Sequence, residues 1–154
     1  MIIYRIAVDY ERLPLEPESD WDEETSSKVD EAMSIFDLSG VRPNFSKDVS
    51  NIALQDGTVV GVVTSEWRSG EGNVAQFSFD IAVHPEYRNL KIGTKLIERA
   101  VSQFESERHD YEEAFGRAEM FIEVINLRLS DFLIRDFGFE VVRELKDRVY
   151  LRKS

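Results

Sequence analysis

The chain has 154 residues, 42% of them hydrophobic and 32% charged, a balance that can bury one sizeable core and argues against wholesale disorder. It contains no cysteine and only two histidines, His84 and His109, which excludes disulfides, thiolate metal sites and cysteine nucleophiles and leaves no multi-histidine zinc site. The net charge of −11 disfavours binding to a phosphate backbone, so no nucleic-acid partner is expected.

Ile2 to Val8 is short, β-branched and apolar, and predicts a first strand. It does not resemble a leader, and no apolar run reaches the ~18 residues that span a bilayer. The expectation is a cytoplasmic protein with no membrane partner. An acidic stretch follows: ten acidic residues stand against Arg12 and Lys28 between Asp9 and Glu31. Pro14 and Pro17 prevent regular structure at its start. The stretch is either a solvated surface or the electrostatic complement of a cationic partner. From Asp22 onward Trp21, Thr25, Val29, Ala32, Met33 and Phe36 recur at helical spacing, and Gly40 and Pro43 end that helix.

Two strands, Val49–Gln55 and Thr58–Trp67, flank the hairpin signal Asp56-Gly57. After a turn at residues 69–73, Val74–Val83 forms the third strand of a meander, with Phe77, Phe79, Ile81 and Val83 on one face. The clearest helix comes next: Ile92, Leu96, Ile97, Ala100, Val101 and Phe104 form its apolar stripe, with Lys95, Arg99, Ser102 and Glu105 facing out. A polar stretch separates it from a strand, Ala118–Ile125. A second amphipathic helix carries Leu129, Phe132, Leu133 and Phe137 and stops at Gly138. Two closing strands, Phe139–Leu145 and Arg148–Arg152, turn around Lys146-Asp147. No repeat or Gly/Ser-rich linker divides the chain, so the expectation is a single domain, 1–154, of mixed α/β class with helices on a largely antiparallel sheet.

The informative junction is Ile81 to Leu96, I-A-V-H-P-E-Y-R-N-L-K-I-G-T-K-L. A strand runs through a short loop into a helix N-terminus, whose first N–H groups lack internal partners and carry the positive end of the helix dipole. Such a turn either cradles phosphate or is a plain connection with an incidental glycine. Arg88, Lys91 and Lys95 add positive charge in an otherwise acidic chain.

This stretch resembles motif A of the GCN5-related N-acetyltransferase family, whose loop reads Arg/Gln-x-x-Gly-x-Gly/Ala after a strand ending in valine. Val83, Pro85, Glu86, Tyr87, Arg88 and Gly93 fall at matching positions, and Ile122 to Phe139 resembles the family's second motif. The element order matches along the whole chain. The resemblance implies acetyl-coenzyme A as cofactor. It implies backbone pairing of Ile81, Ala82 and Val83 with the pantetheine arm. The pyrophosphate would be held by Arg88, Asn89, Leu90, Lys91, Ile92, Gly93 and Thr94. Asn126 would lie near the thioester, although it serves equally as a helix N-cap.

Two positions depart from the family pattern. Lys91 replaces the first motif glycine and is strained if the position needs φ > 0. Ile134 replaces the tyrosine that protonates the leaving thiolate in many members, which leaves water, Tyr111 or Tyr150 for that task. Asp80 and Glu123 are the candidate general bases, each of which also reads as an ordinary polar strand residue. His84 reads as a loop residue.

The leading expectation is an acetyl-coenzyme A-dependent N-acetyltransferase that transfers directly, in a ternary complex, to a cationic amine on a small molecule or protein. The helix after the first strand shapes the acceptor site in this family. Here Glu16, Glu18, Asp20, Asp22, Glu23 and Glu24 concentrate negative charge, and Trp21 offers an aromatic face to a cation. Trp21, Glu23 and Glu24 are therefore the substrate-binding candidates, and no metal is expected. A different acyl group, with Phe77 and Phe79 setting the pocket size, is a variant of this reading. The alternative is a weakly active or inactive protein on the same scaffold that binds a basic partner through its acidic segment. Exposed strand edges make a homodimer plausible.

Overall fold

The computed structural model describes residues 2–6, 23–39 and 48–154. Its elements are β1 (Ile2–Ile6), α1 (Glu23–Ser39), β2 (Asp48–Gln55), β3 (Thr58–Gly70), β4 (Val74–Val83), α2 (Ile92–Phe115), β5 (Arg117–Val124), α3 (Leu127–Phe137), β6 (Glu140–Glu144) and β7 (Val149–Lys153). The seven strands form one sheet in the order β1-β2-β3-β4-β5-β7-β6. Among the pairings, β4–β5 is parallel, while β1–β2, β2–β3, β5–β7 and β6–β7 are antiparallel. The mixed, largely antiparallel α/β class expected from the sequence is therefore the observed one. Trp21 and the acidic residues 9–22 lie outside the described residues, as do Ala7, Val8, Gly40, Pro43 and the side chains of Glu23 and Glu24.

The chain forms two compact units: Met1–Ser65 with Ile81–Ala100, and Glu66–Asp80 with Val101–Ser154. In the first unit, Asp56 (φ 51°) and Gly57 (φ 80°) close the β2–β3 hairpin with two left-handed residues, as the Asp-Gly pair predicts. Ala32, Ile35 and Phe36 of α1 pack on Val49, Ile52, Leu54, Val59, Val62 and Ala82. The neighbouring residue Gly61 serves the start of α2. A Cβ on Gly61 would lie 2.8 Å from Leu96 and 2.9 Å from Ile92, closer than packed atoms approach. Glycine here lets the first turns of α2 lie against the strand. Arg99 does not face freely outward as the helical stripe predicts. Its Nε donates to Oδ1 of buried Asn51 at 2.7 Å, because a polar group taken from water needs a partner.

The second unit holds the aromatic core. Trp67 meets Phe77 edge-on at 5.2 Å and stacks on Phe104 at 5.7 Å and on Tyr111 at 3.9 Å. Phe79 packs against Phe139, and Met120, Ile122, Leu133 and Leu151 are fully or almost fully buried beside these rings in the same unit. Phe77 and Phe79 are core residues here, buried to within 1% of their surface. The polar stretch expected after the apolar stripe is helical as far as Phe115. Apolar periodicity stops at Phe104, but Arg108 bridges Glu105 and Glu112, and His109 Nε2 lies 3.1 Å from Glu113. Such i,i+3 and i,i+4 pairs extend the helix, and Tyr111 holds it to the aromatic core through Trp67. Gly116, at φ 96°, then ends it.

Burial first, then the charges of Glu107 and Asp110, raise the Tyr111 phenol above its ordinary 10.0. A group whose folded pKa lies above its unfolded value contributes stability that is complete below the unfolded pKa and is lost as pH rises through the folded one. The protein should therefore melt progressively lower above about pH 10, and Tyr111→Phe should flatten that alkaline limb. Melting curves from about pH 8 to 11 check this, and an identical limb in the variant would contradict it.

Candidate active site

The junction from Ile81 to Thr94 lies wholly in the first unit. Ile81 and Ala82 are buried and Val83 is half-buried at the end of β4. The parallel ladder between β4 and β5 runs only from Val74↔Arg117 to Ser78↔Phe121. Ile81–Val83 lie beyond its end, which suits backbone pairing with an extended ligand.

The loop then folds into a short 3₁₀ helix, Pro85–Leu90. His84 caps it: Nδ1 accepts from the Glu86 N–H at 3.2 Å, its own N–H donates to Val60 O at 2.8 Å, and its ring meets Tyr87 edge-on. Those contacts give His84 a structural task, in line with its reading as a loop residue.

Lys91 ends the 3₁₀ helix at φ 58°, ψ 21°, a left-handed conformation. The position does demand positive φ, so the lysine carries the strain that a glycine would avoid, on the order of 1 kcal/mol. Its carbonyl accepts from Lys95 N–H at 3.2 Å, opening the α2 ladder. The amides of Ile92, Gly93 and Thr94 precede that ladder. Ile92 anchors the turn in the core, fully buried, while a Cβ built on Gly93 would meet only Val83, at 3.8 Å. The space over the first turn is thus open to a ligand. Arg88 and Lys91 are exposed and have no carboxylate partner among the described residues, whereas Lys95 pairs with Glu98 at 3.4 Å. Open backbone amides, a glycine without obstruction and two uncompensated cations fit a pyrophosphate. Asn89 and Leu90 belong to the 3₁₀ turn.

The remaining candidates lie in the second unit. Asn126 caps α3, its Oδ1 accepting from the N–H groups of Arg128 at 2.9 Å and Leu129 at 3.4 Å. Gly138, at φ 74°, closes the same helix. Asp80 is half-buried on β4. Glu123 Oε1 accepts from Arg148 Nη1 at 2.6 Å, and Tyr150 stands directly across the β5–β7 ladder from Glu123. Hydrogen bonds to Asp147 and Tyr150, followed by the charges of Asp147 and Glu123, raise the Arg148 guanidinium above its ordinary value. Arg148 thereby pairs with two carboxylates, Glu123 and Asp147. Ile134, at the position of the family tyrosine, is partly exposed on α3. Tyr111 is committed to its stack on Trp67.

Sequence reasoning passed over two features of this arrangement. Gly61 was visible as a lone glycine inside a valine-rich strand, the usual mark of a close approach. The Glu123–Arg148–Tyr150 cluster had no local signal, since it depends on the β5–β7 register.

The acetyltransferase (GNAT) domain family matches residues 47–141, and the chain belongs to that family. Three solved structures are similar along almost their entire length. An acyl-CoA N-acyltransferase from Pseudomonas aeruginosa has a TM-score of 0.62 at 14% identity, covering 100% of this chain and 99% of that one. Arabidopsis thaliana Naa50 in complex with the bisubstrate analogue CoA-Ac-MVNAL gives 0.56 at 14% identity, covering 99% and 98%. YncA from Salmonella typhimurium, with its cofactor acetyl-CoA, gives 0.52 at 18% identity, covering 99% and 93%. Likeness at that level is likeness of fold. A sequence search of curated proteins gives no match.

Proposed function

We propose that this protein is a cytoplasmic N-acetyltransferase that takes its acetyl group from acetyl-coenzyme A and delivers it to a cationic amine in a ternary complex. The observation that carries the reading is the Arg88–Thr94 turn: three amides ahead of the α2 ladder, open space over Gly93, and the charges of Arg88 and Lys91, which have no carboxylate partner among the described residues. The cofactors of the Arabidopsis and Salmonella proteins support the same choice. When bound, acetyl-coenzyme A supplies an activated thioester carbonyl to the amine.

The chain's own residues then do the rest. The Arg88–Thr94 turn holds the pyrophosphate, and Ile81, Ala82 and Val83 present backbone groups to the pantetheine arm. An ammonium acceptor must lose a proton before or during attack. Glu123 is one candidate base for that proton, with Oε2 available since Oε1 is engaged by Arg148. Tyr150 is the candidate proton donor in place of the phenol missing at Ile134. Asp80 is the second candidate base. The acceptor is drawn by the acidic stretch, with Trp21, Glu23 and Glu24 at its end, and exposed edge strand β6 is open to pairing with a second copy.

Calorimetric titration with acetyl-coenzyme A, against analogues trimmed of phosphate, tests the cofactor. Micromolar binding that weakens with trimming supports the reading, and no binding at millimolar cofactor ends it. That second result would favour an inactive scaffold that binds a basic partner through its acidic stretch. For the acceptor, thiol release over an amine panel identifies a substrate. Glu23→Lys with Glu24→Lys should then raise its KM at least about tenfold with kcat little changed, because each reversal turns an attraction into a repulsion. An unchanged KM would remove the acidic stretch from the acceptor site.

A further inference from the structure

The second unit carries a cavity that shares no residue with the Ile81–Thr94 junction. Its volume is about 640 Å³, within the range of small-molecule sites. Register defines which face it occupies. Val74 faces Arg117 and Gln76 faces Glu119 across the β4–β5 ladder, so these four share one side. Phe77 and Met120, the next pair, point to the other side, where Phe77 packs on Phe104 of α2. Arg152 joins the first group from β7, directly across from Phe121, and Arg68 joins it from β3 with its guanidinium 5.1 Å over the Phe121 ring.

Three guanidinium groups, those of Arg68, Arg117 and Arg152, therefore line one concavity together with two carboxylates, Glu71 and Glu119, in a chain where acids outnumber bases thirty to nineteen. Arg152 is already matched, with Nε donating to Glu140 at 2.7 Å and the charge of Glu119 near it. Glu119 is itself almost buried and accepts from Gln76 at 2.9 Å. Arg68 and Arg117 have no carboxylate partner among the described residues, although spare carboxylates abound in the sequence. Arg68 is also held in place by the Phe121 ring, so its fork of donors is partly preorganised.

From this we infer that the cavity is a binding site for an oxyanion, the carboxylate or phosphate group of a small ligand, gripped by Arg68 and Arg117. Guanidinium forks bind either oxyanion in a bidentate manner. Arg152, fixed by Glu140, adds long-range attraction, and Ser69 lines the rim as a neutral donor.

Citrate and inorganic phosphate, titrated separately into the full chain by calorimetry, distinguish the two chemistries. At least one should bind saturably below about a millimolar, and Arg68→Gln and Arg117→Gln should each weaken it about tenfold or more. Arg128→Gln, which alters an exposed arginine on α3 outside the cavity, should leave it unchanged. Affinity should also persist in Gly93→Asp, which separates this site from the phosphate cradle. Matched melting curves show that the variants are folded. Absence of saturable binding by both probes, or affinities indifferent to Arg68→Gln and Arg117→Gln, would overturn the assignment.

Discussion

Gly93→Asp should abolish acetyl-coenzyme A binding, by about a hundredfold or more, while the protein melts no lower than wild type. The two effects have separate origins. A Cβ at residue 93 meets only Val83 at 3.8 Å, so the side chain is accommodated without repacking. Glycine within a helix costs up to about 1 kcal/mol relative to other residues, and a carboxylate in the first turn gains about 0.3–1 kcal/mol from the helix dipole. The melting temperature should hold or rise by about 2–4 °C. Binding moves the other way, because the new carboxylate occupies the space proposed for the pyrophosphate. Two like charges about 4 Å apart at an effective dielectric near 20 repel by about 4 kcal/mol, close to three orders of magnitude in affinity. Calorimetry and a melting curve on one preparation measure both. A variant that binds the cofactor as wild type does would place the pyrophosphate away from Gly93.

The contrast between Gly93 and Lys91 illustrates what a sequence can carry. Both stand in one local motif, and the condition under which Lys91 is strained, a need for positive φ, is met at φ 58°. Local chemistry was equally readable at Asp56-Gly57, at Gly138 and across Val74–Val83, where turn residues or unbroken apolar pattern decide the structure within a few positions. The extension of α2 beyond Phe104 was not readable, because ion pairs such as Arg108–Glu112 hold a helix without writing an apolar period into it. Arg99 looked like an outward-facing residue for a related reason. Its partner Asn51 lies 48 positions away, and only the fold brings the two together. The same holds for Glu123, Arg148 and Tyr150, and for the arginines of the cavity in the second unit, which come from strands β3, β5 and β7. Long-range register is the quantity that composition and spacing leave open.

Phe104 is the side chain whose loss should cost the fold most. Its ring is fully buried in the second unit, stacked on Trp67 at 5.7 Å and 6.1 Å from Phe77, with the Arg108 guanidinium 5.0 Å above it. Phe104→Ala removes the ring and leaves a cavity, a change that costs about 3–5 kcal/mol in well-packed cores. How much is recovered depends on whether neighbours can collapse into the space. Trp67 is the nearest large group, but its Nε1 donates to Glu107 at 2.8 Å and its ring stacks on Tyr111 at 3.9 Å, besides meeting Phe77 edge-on. Moving it would break these contacts, so the upper half of that range is expected. Against a total stability of about 5–15 kcal/mol this is a large share, and the melting temperature should fall by about 10 °C or more. The near-ultraviolet circular dichroism of Trp67 should weaken as its stacking partner disappears. A drop of only about 2–4 °C would correspond to about 1 kcal/mol and would mean that Trp67 gives up Glu107 to fill the space. The double variant Trp67→Phe, Phe104→Ala separates the two cases. If the indole stays fixed, Trp67→Phe costs less beside Ala at 104 than beside Phe104, because the stack is already gone, and if it has swung inward, it costs more there.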